Sequence, residues 1–247
     1  MRATIDVEKL GIRFDLDRQK RPMTPALTHV RLKTSTTWVF RGMTFAIDSG
    51  AAVALIGPNG VGKTTLLKAI AGVLVADEGS VAVRGRVGSL LSVGAGLMPR
   101  LTGRENAVLL GVLAGERRRA ARESVESIKA RSGLESAFER PVSTYSQGMR
   151  ARLGFAVIEQ SDPDILLLDE VHEALDGSFR AHLQRFVWSL RERGGIVVAT
   201  GHDHAELRNL CDQAMLLDRS GIVAIKSFDL DPDGALLTRD TALSAGA

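Results

Sequence analysis

Cysteine is nearly absent from this sequence. The 247 residues hold one, Cys211, so no disulfide can close within the chain, and a reducing cytoplasm fits that usage. Aromatic residues make up only 4%, which disfavours the stacked-ring platforms that hold single-stranded nucleic acid. No run of about 18 apolar residues occurs, so no membrane-spanning helix is expected. The opening MRATIDVEKLGIRF carries charges where a secretion signal needs a long apolar stretch. Charge of one sign is not in large excess either. The 32 basic and 29 acidic side chains leave +3, too little by itself to imply a nucleic-acid partner. There is no tandem repeat and no low-complexity block.

What is present reads as an ordinary soluble globular chain, 45% hydrophobic and 25% charged. The length suits one or two domains and a substantial core that needs no cross-links. Residues 15–37 are polar and basic with two prolines, and are expected to form a long loop or insertion. From residue 38 onward, strand-like and helix-like pieces alternate, which points to an α/β fold with a mostly parallel sheet. Three short apolar runs, AAVALI at 51–56, ILLL at 165–168 and IVVAT at 196–200, suit strands covered on both faces. Residues 102–160 differ. Thr102 and Glu105 form a T-x-x-E capping box, and mostly helical propensity follows, broken at Gly133 and Pro141. This stretch reads as a helical insertion within the α/β core. The tail from Ser227 is acidic, then rich in small residues, and is expected to be peripheral.

The sharpest motif is GPNGVGKT, Gly57–Thr64, which fills every fixed position of G-x-x-x-x-G-K-[ST]. Gly57, Gly60 and Gly62 let the loop Gly57–Pro58–Asn59–Gly60–Val61–Gly62 wrap a phosphate, so that its successive backbone N–H groups, Pro58 having none, point inward. The helix expected near Lys63 adds its positive end. Lys63 is expected to reach the β- and γ-phosphates, with Thr65 beside it, and the Thr64 hydroxyl to ligate Mg²⁺. The apolar strand before and the helix former TTLLKAIAG after supply the context that the motif demands.

Asp169 and Glu170 follow the ILLL strand directly, at the strand end where parallel sheets bind ligands. Adjacent residues on extended chain point different ways, so Asp169 is assigned to the metal and Glu170 to the attacking water. His202 follows the third apolar run at the same sheet edge. It is a candidate to donate to the γ-phosphate, with His204 competing on position alone.

These pieces, in this order, resemble the nucleotide-binding subunit of ABC transporters over roughly residues 38–225. YSQGM at 145–149 sits where that family carries its signature, usually LSGGQ. Ser146 and Gly148 keep the serine and second glycine, while Gln147 and Met149 depart from the commonest form. EALD at 173–176 resembles the D-loop, placing Asp176 near nucleotide, and GHD at 201–203 resembles the switch-histidine motif, which favours His202. The resemblance implies a P-loop NTPase core with a mostly parallel sheet, an antiparallel β part at the N-terminus and an inserted helical subdomain. The implied layout is one ATPase domain, with core at 1–92 and 161–226, helices at 93–160 and a tail at 227–247. It further implies ATP and Mg²⁺ as cofactors and a homodimer closing two ATP molecules head to tail, with Ser146, Gln147 and Gly148 over the partner's nucleotide. A membrane permease partner and a peripheral place on the cytoplasmic face of the membrane are implied too. Nucleic acid is not an expected partner.

A narrower resemblance lies in SLLSVGAGLMPRLTGREN at 89–106, which looks like the ATPase subunits that export bacterial surface polysaccharides such as O-antigen, capsule or teichoic acid. Some of these add a C-terminal glycan-binding domain. Only the short tail follows here, so no direct glycan contact is expected. Most ABC ATPases place a glutamine near residue 92, where this chain has Ser92 and Val93, so coupling is expected to run through Leu97, Met98 and Leu101. The ring stacked on adenine is assigned to Phe14, with Trp38 the alternative. Two lesser signals are ERRRAAR at 116–122 with Arg140, Arg150 and Arg152, read as a solvated helix face, and an aspartate-rich run at 229–240, where Pro232 and the lack of flanking helices argue against a calcium loop.

Overall fold

The computed structural model describes residues 2–16, 35–218 and 221–228. In chain order, β1 (Thr4–Leu16) and β2 (Ser35–Ile47) are followed by β3 (Ala52–Ile56), α1 (Lys63–Ile70), β4 (Glu78–Arg84) and β5 (Val87–Leu90). The helical block comprises α2 (Gly103–Leu113), α3 (Arg118–Glu123), α4 (Val125–Ser132) and α5 (Gln147–Gln160). The chain then returns through β6 (Ile165–Asp169), α6 (Gly177–Glu192), β7 (Ile196–Thr200), α7 (His204–Arg208), β8 (Gln213–Asp218) and β9 (Gly221–Ser227).

Two sheets result. The main one has strand order β5-β6-β7-β3-β8-β9, parallel through β8 and closed by antiparallel β9. The other is an antiparallel trio, β2-β1-β4. The three apolar runs of the sequence are the neighbouring strands β6, β7 and β3. Their alternation with period 2 feeds two cores. Val53, Leu55, Ile165, Leu167 and Val198 join the core shared with α1 and the antiparallel trio. Ala54, Leu166, Leu168, Val197 and Ala199 join Phe155, Phe179 and Leu183 on the other face. Each buried leucine or isoleucine here contributes about 1.5–3 kcal/mol, so polar substitution on either face is excluded by energy rather than by geometry.

The helical block is inserted between β5 and β6, which are nevertheless direct parallel neighbours. It has its own core around Ile128, Phe138 and Leu153. The Thr102–Glu105 capping box forms as the sequence indicates. Arg104 ties α2 to Glu126 of α4 and to Glu139, and this guanidinium holds the Glu139 carboxyl at about 2. Asn106, fully buried, accepts from Met98 N at 2.7 Å and donates to the Met98, Leu101 and Thr102 carbonyls, stitching the 98–102 loop to α2.

Residues 15–37 are not all loop. Antiparallel pairing of β1 with β2 continues outward through Asp15↔Thr36 and Leu16↔Ser35, because ladder hydrogen bonding outweighs the polar composition there. The rest of that insertion, residues 17–34, and the aspartate-rich tail from 229 lie outside the described residues.

Candidate functional site

Buried β3 delivers the chain to Gly57, and α1 starts at Lys63 with Gly62 in the left-handed region at φ 111°. A side chain at Gly62 would meet Phe40 and Val39 of β2 at 2.4–2.5 Å, so glycine is required by both backbone and space. Lys63 is buried, and its ammonium donates to Gly57 O at 2.7 Å and Pro58 O at 3.3 Å, holding the cation across the mouth of the loop. Val61 turns into the core.

A recess of about 420 Å³ opens over this loop, bounded by Asn59, Gly60, Gly62, Lys63, Thr64 and Thr65. Two side chains from other strands complete it, Glu170 after β6 and His202 after β7. The β6–β7 register, Asp169↔Thr200, sets them side by side, and His202 Nε2 lies 3.1 Å from Glu170 Oε1. Glu170 adopts φ 59°, an uncommon left-handed conformation for a residue with a side chain, held by its N–H donating to Thr200 O at 3.0 Å. Strained backbone of this kind concentrates at functional sites.

A second recess, about 450 Å³, adjoins the first through Glu170 and is bounded also by Asp169, Ser92, Val93 and Gln147. Asp169 accepts at 2.7 Å from the hydroxyl of Thr200, which is fully buried. Thr200 was not singled out from the sequence. The signal for it is indirect, a polar residue ending an otherwise apolar strand beside the acidic strand end.

The 145–149 segment forms the start of α5. Ser146 is its N-cap, accepting from Met149 N, and Tyr145 is buried with its hydroxyl donating to Ala137 O at 2.7 Å. Burial pushes the Tyr145 phenol up from its ordinary value. At Gly148 a Cβ would stand 3.0 Å from Ala174 O, so α5 begins in close contact with the turn after Glu170. Asp176 is taken up by structure. It caps α6, accepting from Phe179 N at 3.0 Å and Ser178 Oγ at 2.8 Å, and it forms an ion pair with Arg152. Arg152 is therefore not part of a solvated basic face: packing of α5 against α6 brings it to Asp176 and over the Phe179 ring.

The structure thus gathers Asn59, Gly60, Gly62, Lys63, Thr64, Thr65, Glu170 and His202 around one recess, and Asp169, Glu170 and Gln147 around the next, while Gly57, Pro58 and Val61 bound neither. Ser146, Gly148, Asp176 and Phe14 bound neither. Phe14 is 43% exposed on β1. The alternative ring, Trp38, lies beneath the guanidiniums of Arg41 and Arg13 at 4.8 and 5.8 Å. The β2 residue that does bound the loop recess is Val39.

Metal chemistry can be tested against these donors. Among the described residues no cluster of three or more His, Cys, Asp or Glu exists to cage an ion. A hydroxyl, Thr64, and a carboxylate, Asp169, border the adjoining recesses instead. That sparse, hard-oxygen set suits Mg²⁺, which is held by one or two protein oxygens, waters and substrate phosphates.

The sequence matches the family described as ABC transporter over residues 40–173. It is 39% identical over 187 residues to an O-antigen export system ATP-binding protein, RfbB, of Klebsiella pneumoniae, covering 76% of each chain. It is 34% identical over 181 residues to the teichoic acids export ATP-binding protein TagH of Enterococcus faecalis, covering 73% of this chain and 40% of that one. Among solved structures, the dimeric post-hydrolysis state of the ATP-binding cassette MJ0796 bound to ADP and Pi superposes with a TM-score of 0.73 at 19% identity, covering 90% of this chain and 98% of the other.

Proposed function

Because the chain belongs to the ABC transporter family as an ATP-binding, ATP-hydrolysing subunit, we propose that it powers a separate permease exporting a bacterial surface polysaccharide or lipid-linked glycan. The O-antigen and teichoic-acid export names of its relatives support that substrate class. The observation that carries the site assignment is the convergence of the phosphate loop, Glu170 and His202 on one recess.

The chemistry follows from the residues present. Inward N–H groups of the loop and the α1 N-terminus bind the phosphate chain, and Lys63 offsets charge on the β- and γ-oxygens. Thr64 and Asp169 would hold Mg²⁺, which when bound neutralises charge on the transferred phosphoryl group. Glu170 orients a water for in-line attack and takes up its proton. His202, hydrogen-bonding distance from Glu170, donates to the γ-phosphate and steadies the carboxylate. Two chains close head to tail, so that the Ser146 hydroxyl, the Gln147 and Gly148 backbone and the α5 N-terminus face the nucleotide of the other copy. Asp176, fixed by Arg152, orders the turn running along that boundary.

The permease docks on the helical block. A groove of about 720 Å³ runs between α2 and α3, with an apolar floor that includes Leu101, Val108 and Val112 and with Arg118 and Arg122 on its rim. Met98, 54% exposed, stands in the loop leading to it. No helix among the described residues is long and apolar enough to cross a membrane.

Replacing Lys63 with alanine tests the site. The expected result is loss of ATP binding in a nucleotide titration with the circular dichroism spectrum retained. Unchanged affinity refutes the loop assignment.

A further inference from the structure

Glu170 and His202 meet beyond the end of the ladder that aligns their strands. The last β6–β7 pair is Asp169↔Thr200, and His202 lies two residues further on. Their 3.1 Å contact joins side chains that are 45% and 57% exposed, and a pair so open to solvent does not hold two turns at a fixed spacing by itself. A second tie between the same two turns is made from α6. Arg180, one turn into that helix, donates from Nε to Leu175 O at 2.8 Å and forms an ion pair through Nη1 with Glu206. Leu175 stands near the far end of the turn that starts at Glu170, immediately before Asp176. Glu206 lies in α7, which starts two residues after His202. The stretch between them is fixed, because Asp203 caps α7, its carboxylate accepting from Ala205 N at 2.8 Å and Glu206 N at 3.2 Å. Leu175 and Leu207 anchor the two turns in the core that holds Phe179 and Leu183 of α6. The contacts close a ring that runs from Glu170 through its turn, Arg180, Glu206 and the capped start of α7 to His202, and back to Glu170.

We propose that Arg180 is a positioning residue for hydrolysis: its guanidinium, held between Leu175 O and the Glu206 carboxylate, sets the turn carrying His202 against the turn carrying Glu170. This rests on the assignment of Glu170 and His202 to the γ-phosphate site. Arginine suits the task because its planar fork carries several donors in fixed directions and stays charged, so one rigid group addresses a carbonyl and a carboxylate at once. Arg180 bounds neither the loop recess nor the recess beside Asp169. It therefore acts on turnover through His202 and not on nucleotide directly. A misplacement of about 1 Å at reacting groups is enough to slow the chemical step.

The test is a pair of double-mutant cycles read by single-turnover hydrolysis. Arg180→Ala and Glu206→Ala are each expected to slow hydrolysis about 3–30-fold, the range of contacts that act on a site from outside it. The affinity for MgATP in calorimetry and the circular dichroism spectrum should be unchanged, because the ion pair is partly exposed. Glu206→Ala opens the ring from the α7 side and leaves the bond from Arg180 to Leu175 O in place, so it reads the same link where Arg180→Ala disturbs more than one contact. The two substitutions together are expected to cost no more than about twofold beyond Arg180→Ala alone, because both break one link. In a His202→Ala background, Arg180→Ala is expected to change the residual rate by less than about twofold, because its effect runs through that imidazole. A merely structural role would cost the same factor with or without His202. Wild-type hydrolysis in either single variant, additive losses in the double variant, an undiminished Arg180→Ala effect without His202, or a fall in MgATP affinity each overturns the proposal. Wild-type hydrolysis in His202→Ala would instead overturn the underlying assignment of His202.

Discussion

Thr200 offers a clean perturbation of the metal side of the site. Its side chain is fully buried, and its hydroxyl donates to Asp169 Oδ1 at 2.7 Å. Thr200→Val replaces that hydroxyl by a methyl group of similar volume, so no cavity opens and no water replaces the lost donor. A hydrogen bond to a charged group is worth about 1.5–3 kcal/mol. At about 1.4 kcal/mol per decade this is a factor of about 10–100, which agrees with the usual cost of removing a group that orients a metal ligand. The expected outcome is a Mg²⁺ midpoint for ATPase activity raised about 10–100-fold. Nucleotide binding without metal should be unchanged, because the phosphate loop is untouched. Binding of Mn²⁺ in the presence of a non-hydrolysable ATP analogue, followed by electron paramagnetic resonance, should weaken in parallel. Thr200→Ser keeps the hydroxyl and should behave as wild type. A Thr200→Val chain with wild-type metal dependence would refute the claim that this bond holds Asp169 for the ion.

Two further outcomes follow from the helical block. Met98→Asp puts a charge on the apolar surface beside the α2–α3 groove and should abolish assembly with the permease while leaving the basal ATPase of the isolated subunit within about threefold, as expected for an exposed substitution away from the loop; intact assembly in a pull-down would exclude this surface. Glu139 is held at about 2, against an ordinary 4.5, by its hydrogen bond from Arg104. A depressed carboxyl stabilises the fold above its unfolded value, so that contribution is full above about 4.5 and is lost as the pH falls toward 2. Glu139→Gln should therefore flatten the acid limb of a melting-temperature profile, and an unchanged limb would contradict the assignment.

The parts of this site legible in the sequence are those set by local rules. Apolar runs followed by glycine or acid made β3, β6 and β7 readable, and with them the carboxyl-end positions of Gly57, Asp169 and His202. The capping box at Thr102 needed only a three-residue spacing. What local rules do not carry is strand register and the packing of helices. The Glu170–His202 contact and the Thr200–Asp169 bond exist because β6 pairs with β7 in one register. Asp176 reads as a nucleotide contact in its motif, yet capping α6 and pairing with Arg152 depend on how α5 lies against α6. The left-handed backbone of Glu170 has no glycine to announce it. Gln147 and Ser92 are 55 residues apart, and only the insertion of the helical block between two adjacent strands brings them to one recess.

The central claim is that Glu170 activates water over nucleotide bound by the phosphate loop of a closing dimer. Sedimentation of Glu170→Gln with MgATP, alongside its turnover, tests this most directly. The account predicts turnover reduced by about 10²–10⁴, the worth of a positioned base, with ATP retained and the chain shifted from monomer toward dimer relative to wild type. Near-normal turnover, or a variant that stays monomeric with saturating MgATP, would contradict it.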